Sequence, residues 1–84
     1  MTHTLSIHLT PTEGFLQRII GLIERRGFSV GAINMPMVAA DRAEMTISVI
    51  ARDGTRSTDI LSRQIMRLID VKQVTPIQEN GGPR

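Results

Sequence analysis

Twice along this chain of 84 residues the apolar positions change their spacing, from every second residue to every third or fourth. In THTLSIHLT, residues 2–10, Leu5, Ile7 and Leu9 point one way and Thr4, Ser6, His8 and Thr10 the other, the pattern of a half-buried strand. Directly afterwards Leu16, Ile19, Ile20 and Ile23 recur at helical spacing, flanked by Phe15 and Leu22, with Gln17, Arg18, Glu24 and Arg25 on the wet side. The switch then repeats. Met45, Ile47, Val49 and Ala51 alternate in MTISVIAR, and Leu61, Ile65 and Leu68 form the stripe of a second helix over 56–70, with Ile60 and Ile69 beside it. A chain patterned this way has to lay two amphipathic helices on the apolar face of a sheet.

The connecting residues complete the plan. Thr10 and Glu13 have capping-box spacing at the entry to the first helix, and Pro11 falls in the first-turn slot that proline tolerates. Gly14 then sits inside the first turn, where glycine costs about 1 kcal/mol relative to alanine. Two readings fit it. It serves a tight strand-to-helix turn or close helix–sheet packing, or it lets a ligand or another backbone approach a helix N-terminus, which suits a carboxylate. Gly27 follows a basic last turn, Arg25–Arg26, as a C-terminal cap. FSVGAINMPMV is a second strand weakened by Gly31 and Pro36, which puts it at a sheet edge. AADRAE is a turn, DGT closes the third strand, and Thr55 or Ser57 caps the second helix with Asp59 in its first turn. VKQVTPIQ is a last short strand, and ENGGPR a polar tail. The order β-α-β-β-α-β, with right-handed crossovers, gives an α+β, ferredoxin-like fold: a four-stranded antiparallel sheet with both helices on one face. Residues 1–79 are read as one domain and 80–84 as a disordered tail.

The same residues exclude several functions. The chain has no cysteine, which removes disulfides, thiolate metal sites and a cysteine nucleophile. His3 and His8 lie five apart on a strand, face opposite sides and cannot share a metal. No catalytic constellation stands out, so no catalytic or metal residue is assigned. Ten basic against eight acidic residues make a mixed surface rather than a nucleic-acid footprint. RNA-binding modules with this element order display aromatics on their central strands, and the third strand here has none. No signal segment and no apolar run near 18 residues is present, so a cytoplasmic protein without a membrane contact is expected. So short a chain buries a marginal core, which oligomerisation would support.

GFLQRIIGLIERRGFSVGAINM, residues 14–35, resembles the start of the ACT domain in the regulatory small subunit of acetolactate synthase. Arg26-Gly27-Phe28 and Ile33-Asn34-Met35 carry the likeness, and STDILSRQIMRLIDVKQVTPIQ, 57–78, is similar to that family's second helix, its exit at Ile69-Asp70-Val71 and its last strand. The resemblance implies a non-catalytic subunit of a transferase. It would bind and activate a large catalytic subunit that uses thiamine diphosphate, magnesium and FAD at the head of branched-chain amino-acid biosynthesis, with no cofactor in this chain. It also implies a homodimer paired through the edge strand, residues 30–37, and effector positions at Gly14, Phe15, Ser29 and Val30. The chain departs from the pattern where valine-sensing members carry asparagine: here stand Pro11 and Ser29. Those members usually carry a second domain, and this sequence ends at Arg84. The likeness is therefore to the short, valine-insensitive isozyme II type. A stand-alone ACT domain that binds an amino acid and regulates another protein is the alternative, and a ferredoxin-like adaptor without a metabolite a third. Arg18, Arg25 and Arg63 are expected to be solvated, and Arg26 either reaches out by its stem or pairs with an acid.

Overall fold

A computed structural model describes residues 2–53 and 57–77. Six elements follow in the order β1 (Thr2–Leu9), α1 (Phe15–Arg25), β2 (Phe28–Val38), β3 (Ala43–Ala51), α2 (Thr58–Met66) and β4 (Val71–Ile77). The strands form one sheet in the order β2-β3-β1-β4, and every neighbouring pair is antiparallel. This is the ferredoxin-like arrangement that the alternating periods predict, with β2 at an edge. The Thr55 cap, the end of the DGT turn and the polar tail fall outside the described residues.

Register decides which face is dry. Leu5 pairs with Ile47, Ile7 with Met45 and Leu9 with Ala43, so one face of the two central strands is apolar along this stretch, with only the half-buried His3, opposite Val49, at its end. Leu5, Ile7, Leu9, Met45, Ile47 and Val49 are fully buried there, together with Ile19 and Ile23 of α1 and Leu61 and Ile65 of α2. The opposite face carries Thr4, Ser6, Thr46 and Ser48, short hydroxyl residues in matched pairs.

Three local expectations are corrected. Thr10 and Glu13 do not form a capping box: α1 begins at Phe15, and its N-cap is Gly14, with no side-chain cap. The Thr10 amide is drawn off to the Asp70 carbonyl at 2.8 Å, and residues 10–15 close as turns through Thr12 N to Thr10 O and Phe15 N to Thr12 O. Gly14 has φ of 80°, a left-handed conformation that a right-handed helix cannot contain, so the helix can only start after it. The second helix is shorter than 56–70. It is capped by Ser57, whose hydroxyl accepts from the Ile60 amide, and it ends at Met66. Beyond it the chain turns, with the Arg67, Leu68 and Val71 amides each bonded three residues back, and this rotates Ile69 out to 95% exposure. Ile60 is also more than half exposed, so the stripe of α2 is narrower than its apolar residues suggest.

β2 is bent by two irregularities. Residues 31 and 32 lie between the Val30–Val49 and Ile33–Ile47 pairs, and residues 35 and 36 between Asn34–Thr46 and Met37–Glu44. In each, two residues of β2 face one of β3, the signature of a bulge. At the first, the Ser48 hydroxyl accepts from the Ala32 amide at 2.7 Å and stands in for a backbone partner. A Cβ on residue 31 would lie 2.7 Å from that same oxygen, which is why the position is glycine. At the second, Pro36 occupies a place where no ladder amide is needed.

Candidate functional site

The loop from β1 to α1 is held by several hydrogen bonds. Arg18, one turn into α1, folds back beneath it. Its guanidinium donates to the Thr12 hydroxyl at 2.9 Å, to the Glu13 carbonyl at 3.2 Å and to the Asp70 carboxylate. Asp70 in turn holds the loop a second time, through its backbone carbonyl and the Thr10 amide. The turn after α2 is thus tied to the turn before α1 by one residue. The bond from Arg18, then that from the Thr12 hydroxyl, hold the Asp70 carboxyl below its ordinary value. Arg18 and Asp70 form an ion pair; the Arg18 side chain is still 45% exposed, the solvated cation expected, but it is also partnered. Sequence reasoning missed the pair because its members are 52 residues apart.

Pro11–Gln17 line an open concavity of about 540 Å³ over this loop. Gly14 and Phe15 are both in its wall. Ser29 and Val30 are not. They lie at the start of β2, paired with Ile50 and Val49, Ser29 on the open face of the sheet and Val30 toward the core. One chain therefore brings two of the four proposed effector positions together and leaves the other two on the edge strand. Arg26 finds a neutral partner rather than an acid: its guanidinium donates to the Gln64 side-chain oxygen at 3.1 Å, linking the end of α1 to α2. Arg52 closes the same end, donating to the carbonyls of Glu24 and Phe28, both at 3.0 Å. Among the described residues no group of three or more His, Cys, Asp or Glu stands at metal-holding distance, and no helix is long and apolar enough to cross a membrane.

The chain is a two-layer βαββαβ domain in which the turn before the first helix is braced against the turn before the last strand. The ACT domain pattern matches residues 11–74, and the chain belongs to the ACT domain family. It is similar to proteins named acetolactate synthase small subunit. The one from Buchnera aphidicola (subspecies Schizaphis graminum) is 32% identical over 95% of this chain and 50% of its own length. A probable acetolactate synthase small subunit from Methanothermobacter thermautotrophicus is 36% identical over 92% of this chain and 45% of its own. The chain thus spans about half the length of these curated relatives. The crystal structure of the acetolactate synthase small subunit from Thermotoga maritima superimposes with a TM-score of 0.77 at 22% identity, over 96% of this chain and 50% of that one. The ACT domain of a Chlorobium tepidum GTP pyrophosphokinase does so with a TM-score of 0.70 at 14% identity, over 92% and 97%. At these identities the two structures speak for the fold.

Proposed function

We propose that this chain is a regulatory small subunit of an acetolactate synthase, of the valine-insensitive isozyme II type. It binds the thiamine-dependent catalytic subunit in the cytoplasm and raises its activity in branched-chain amino-acid biosynthesis. Thiamine diphosphate, magnesium and FAD belong to that partner, and this chain contributes no catalytic side chain. The observation that carries the reading is similarity to proteins of that name over almost the whole described domain. The effector reading rests on the loop. Gly14 and Phe15 line a concavity, but Pro11 offers no side-chain donor or acceptor and no amide N–H, and Ser29 lies away from it on β2. The chain acts as a homodimer paired along residues 30–37 of β2, an edge strand whose half-exposed Ile33 and exposed Val38 a second copy would cover.

Such a subunit supplies binding energy, and it can bias only states of the partner to which it binds differently, typically by about 1–3 kcal/mol. Co-purification of the tagged chain with the large subunit of an acetolactate synthase from the same source tests the reading. A stable complex in constant proportion is expected. No complex, with thermal stabilisation of the chain by an amino acid at the loop, would replace it with the stand-alone sensor.

A further inference from the structure

The second helix and its exit turn carry two rows of side chains. Leu61, Ile65 and Leu68 pack on the core. Ile60, Arg63, Met66 and Ile69 follow one another at three-residue intervals on the outside, each beside the next on a helical surface. Ile60 and Met66 are each about half exposed, and Ile69 is 95% exposed. Ile69 stands in water on a fixed support. The Leu68 and Val71 amides bond three residues back, and Asp70 is held twice, its carboxylate by Arg18 and its carbonyl by the Thr10 amide. An isoleucine held out in this way adds nothing to the domain's own core.

The charges around this outer row say what would cover it. Arg63 lies between Ile60 and Met66, and Arg67 one turn beyond Arg63; both are exposed. Among the described residues neither makes a side-chain hydrogen bond or an ion pair, although Asp59 stands one turn before Arg63. Exposed isoleucine and methionine with arginine, and one acid among them, is the composition of a protein interface, whose centre is depleted in lysine and acids. Its complement is a protein surface with an apolar centre and carboxylates at the margin. A second copy docked by the same row would set arginines against arginines. The row is also free in the homodimer proposed above. α2 packs against β4 and α1 against β2, and β4 and β2 are opposite edges of the sheet. Pairing through β2 therefore leaves one such row toward each end of the dimer.

We infer that the outer row of α2, centred on Ile69 with Arg63 and Arg67 beside it, is the face that docks on the catalytic large subunit, against a patch of that partner with an apolar centre and an acidic margin. This rests on the function proposed above and goes beyond it by naming the contacting residues. The turn that presents Ile69 also braces the loop of Gly14 and Phe15 through Asp70, so the docking face and the loop concavity share one support.

The test is calorimetric titration of the full chain into the purified large subunit from the same source, at low and at moderate salt. Wild type is compared with Ile69→Ala, with the Arg63→Glu/Arg67→Glu double variant, and with His8→Ala on the opposite face of the sheet. Ile69→Ala should keep the wild-type melting temperature, because the side chain is in solvent, yet bind about tenfold more weakly. The charge reversal should weaken binding about tenfold or more, by a factor that shrinks as salt rises. His8→Ala should bind as the wild type does. Binding by the wild type that both Ile69→Ala and the double variant retain in full would overturn this face and leave the proposed function standing. No binding by the wild type would overturn the proposed function, and this face with it. A smaller oligomer of Ile69→Ala alone, in sedimentation equilibrium, would make the row a self-contact and overturn the docking assignment.

Discussion

Two glycines at the start and in the body of α1 should respond in opposite directions to the same substitution. Gly14→Ala puts a Cβ on a residue at φ 80°, at a cost of about 1–2 kcal/mol. The new methyl would lie 3.2 Å from an Arg18 guanidinium nitrogen, the movable end of a long side chain, so the contact relaxes. Relaxing it draws Arg18 off the Glu13 carbonyl, an exposed bond of about 0.5–1 kcal/mol. Alanine also restricts the unfolded chain, which returns about 0.4–1 kcal/mol. The net loss is about 1–2 kcal/mol. Gly21→Ala lies within the helix, and its Cβ would meet an Arg25 guanidinium nitrogen at an ordinary 3.4 Å. It should gain up to about 1 kcal/mol from helix propensity. For a domain of this size each kcal/mol moves the melting temperature by about 4–8 °C. Thermal unfolding followed by circular dichroism, at one fixed protein concentration, reads both. Unchanged stability in Gly14→Ala, or a shift of both variants in the same direction, would refute the reasoning.

Other consequences are equally direct. Gly31→Ala should cost about 1–3 kcal/mol by overpacking against Ser48, and Ser48→Ala in that background should recover only part of it, since Ala32 then loses its acceptor; a double-mutant cycle in denaturant gives the coupling. Ile23→Ala, at a fully buried position, should lose about 2–5 kcal/mol and leave so short a chain largely unfolded at ambient temperature, visible as a collapsed urea midpoint. Asp70→Asn removes a carboxylate whose folded value is depressed by Arg18 and Thr12. The stabilisation it provides is complete above the ordinary aspartate value of about 4 and fades as pH falls through the lower folded value. The stability gap between wild type and Asp70→Asn should therefore be widest at neutral pH and close in acid; a gap that widens in acid would contradict the pairing.

The layers of the fold were legible because they are periodic. Leu5, Ile7, Leu9, Met45, Ile47 and Val49 all fill the predicted dry face, and the proline and glycine of β2 mark the edge that it occupies. Where the chain ceases to be periodic, local signals compete with distant ones. Thr10 and Glu13 have the spacing of a cap, but the Thr10 amide is taken by Asp70 and Gly14 turns left-handed, so the helix starts later. Ile69 continues an apolar stripe in sequence and is almost wholly exposed, because the helix has already ended. The candidate site was legible only in part. Gly14 could be singled out as anomalous, but Arg18 and Asp70, which brace its loop, sit in ordinary helical and turn positions.

The central claim is that this domain regulates an acetolactate synthase without catalysing anything itself. Titrating it into the purified large subunit from the same source, while following pyruvate turnover with and without valine, tests that claim most directly. A saturable rise in turnover that valine leaves untouched is expected. A rise that valine abolishes would contradict the valine-insensitive assignment, and turnover unchanged at saturating chain would contradict the regulatory role itself.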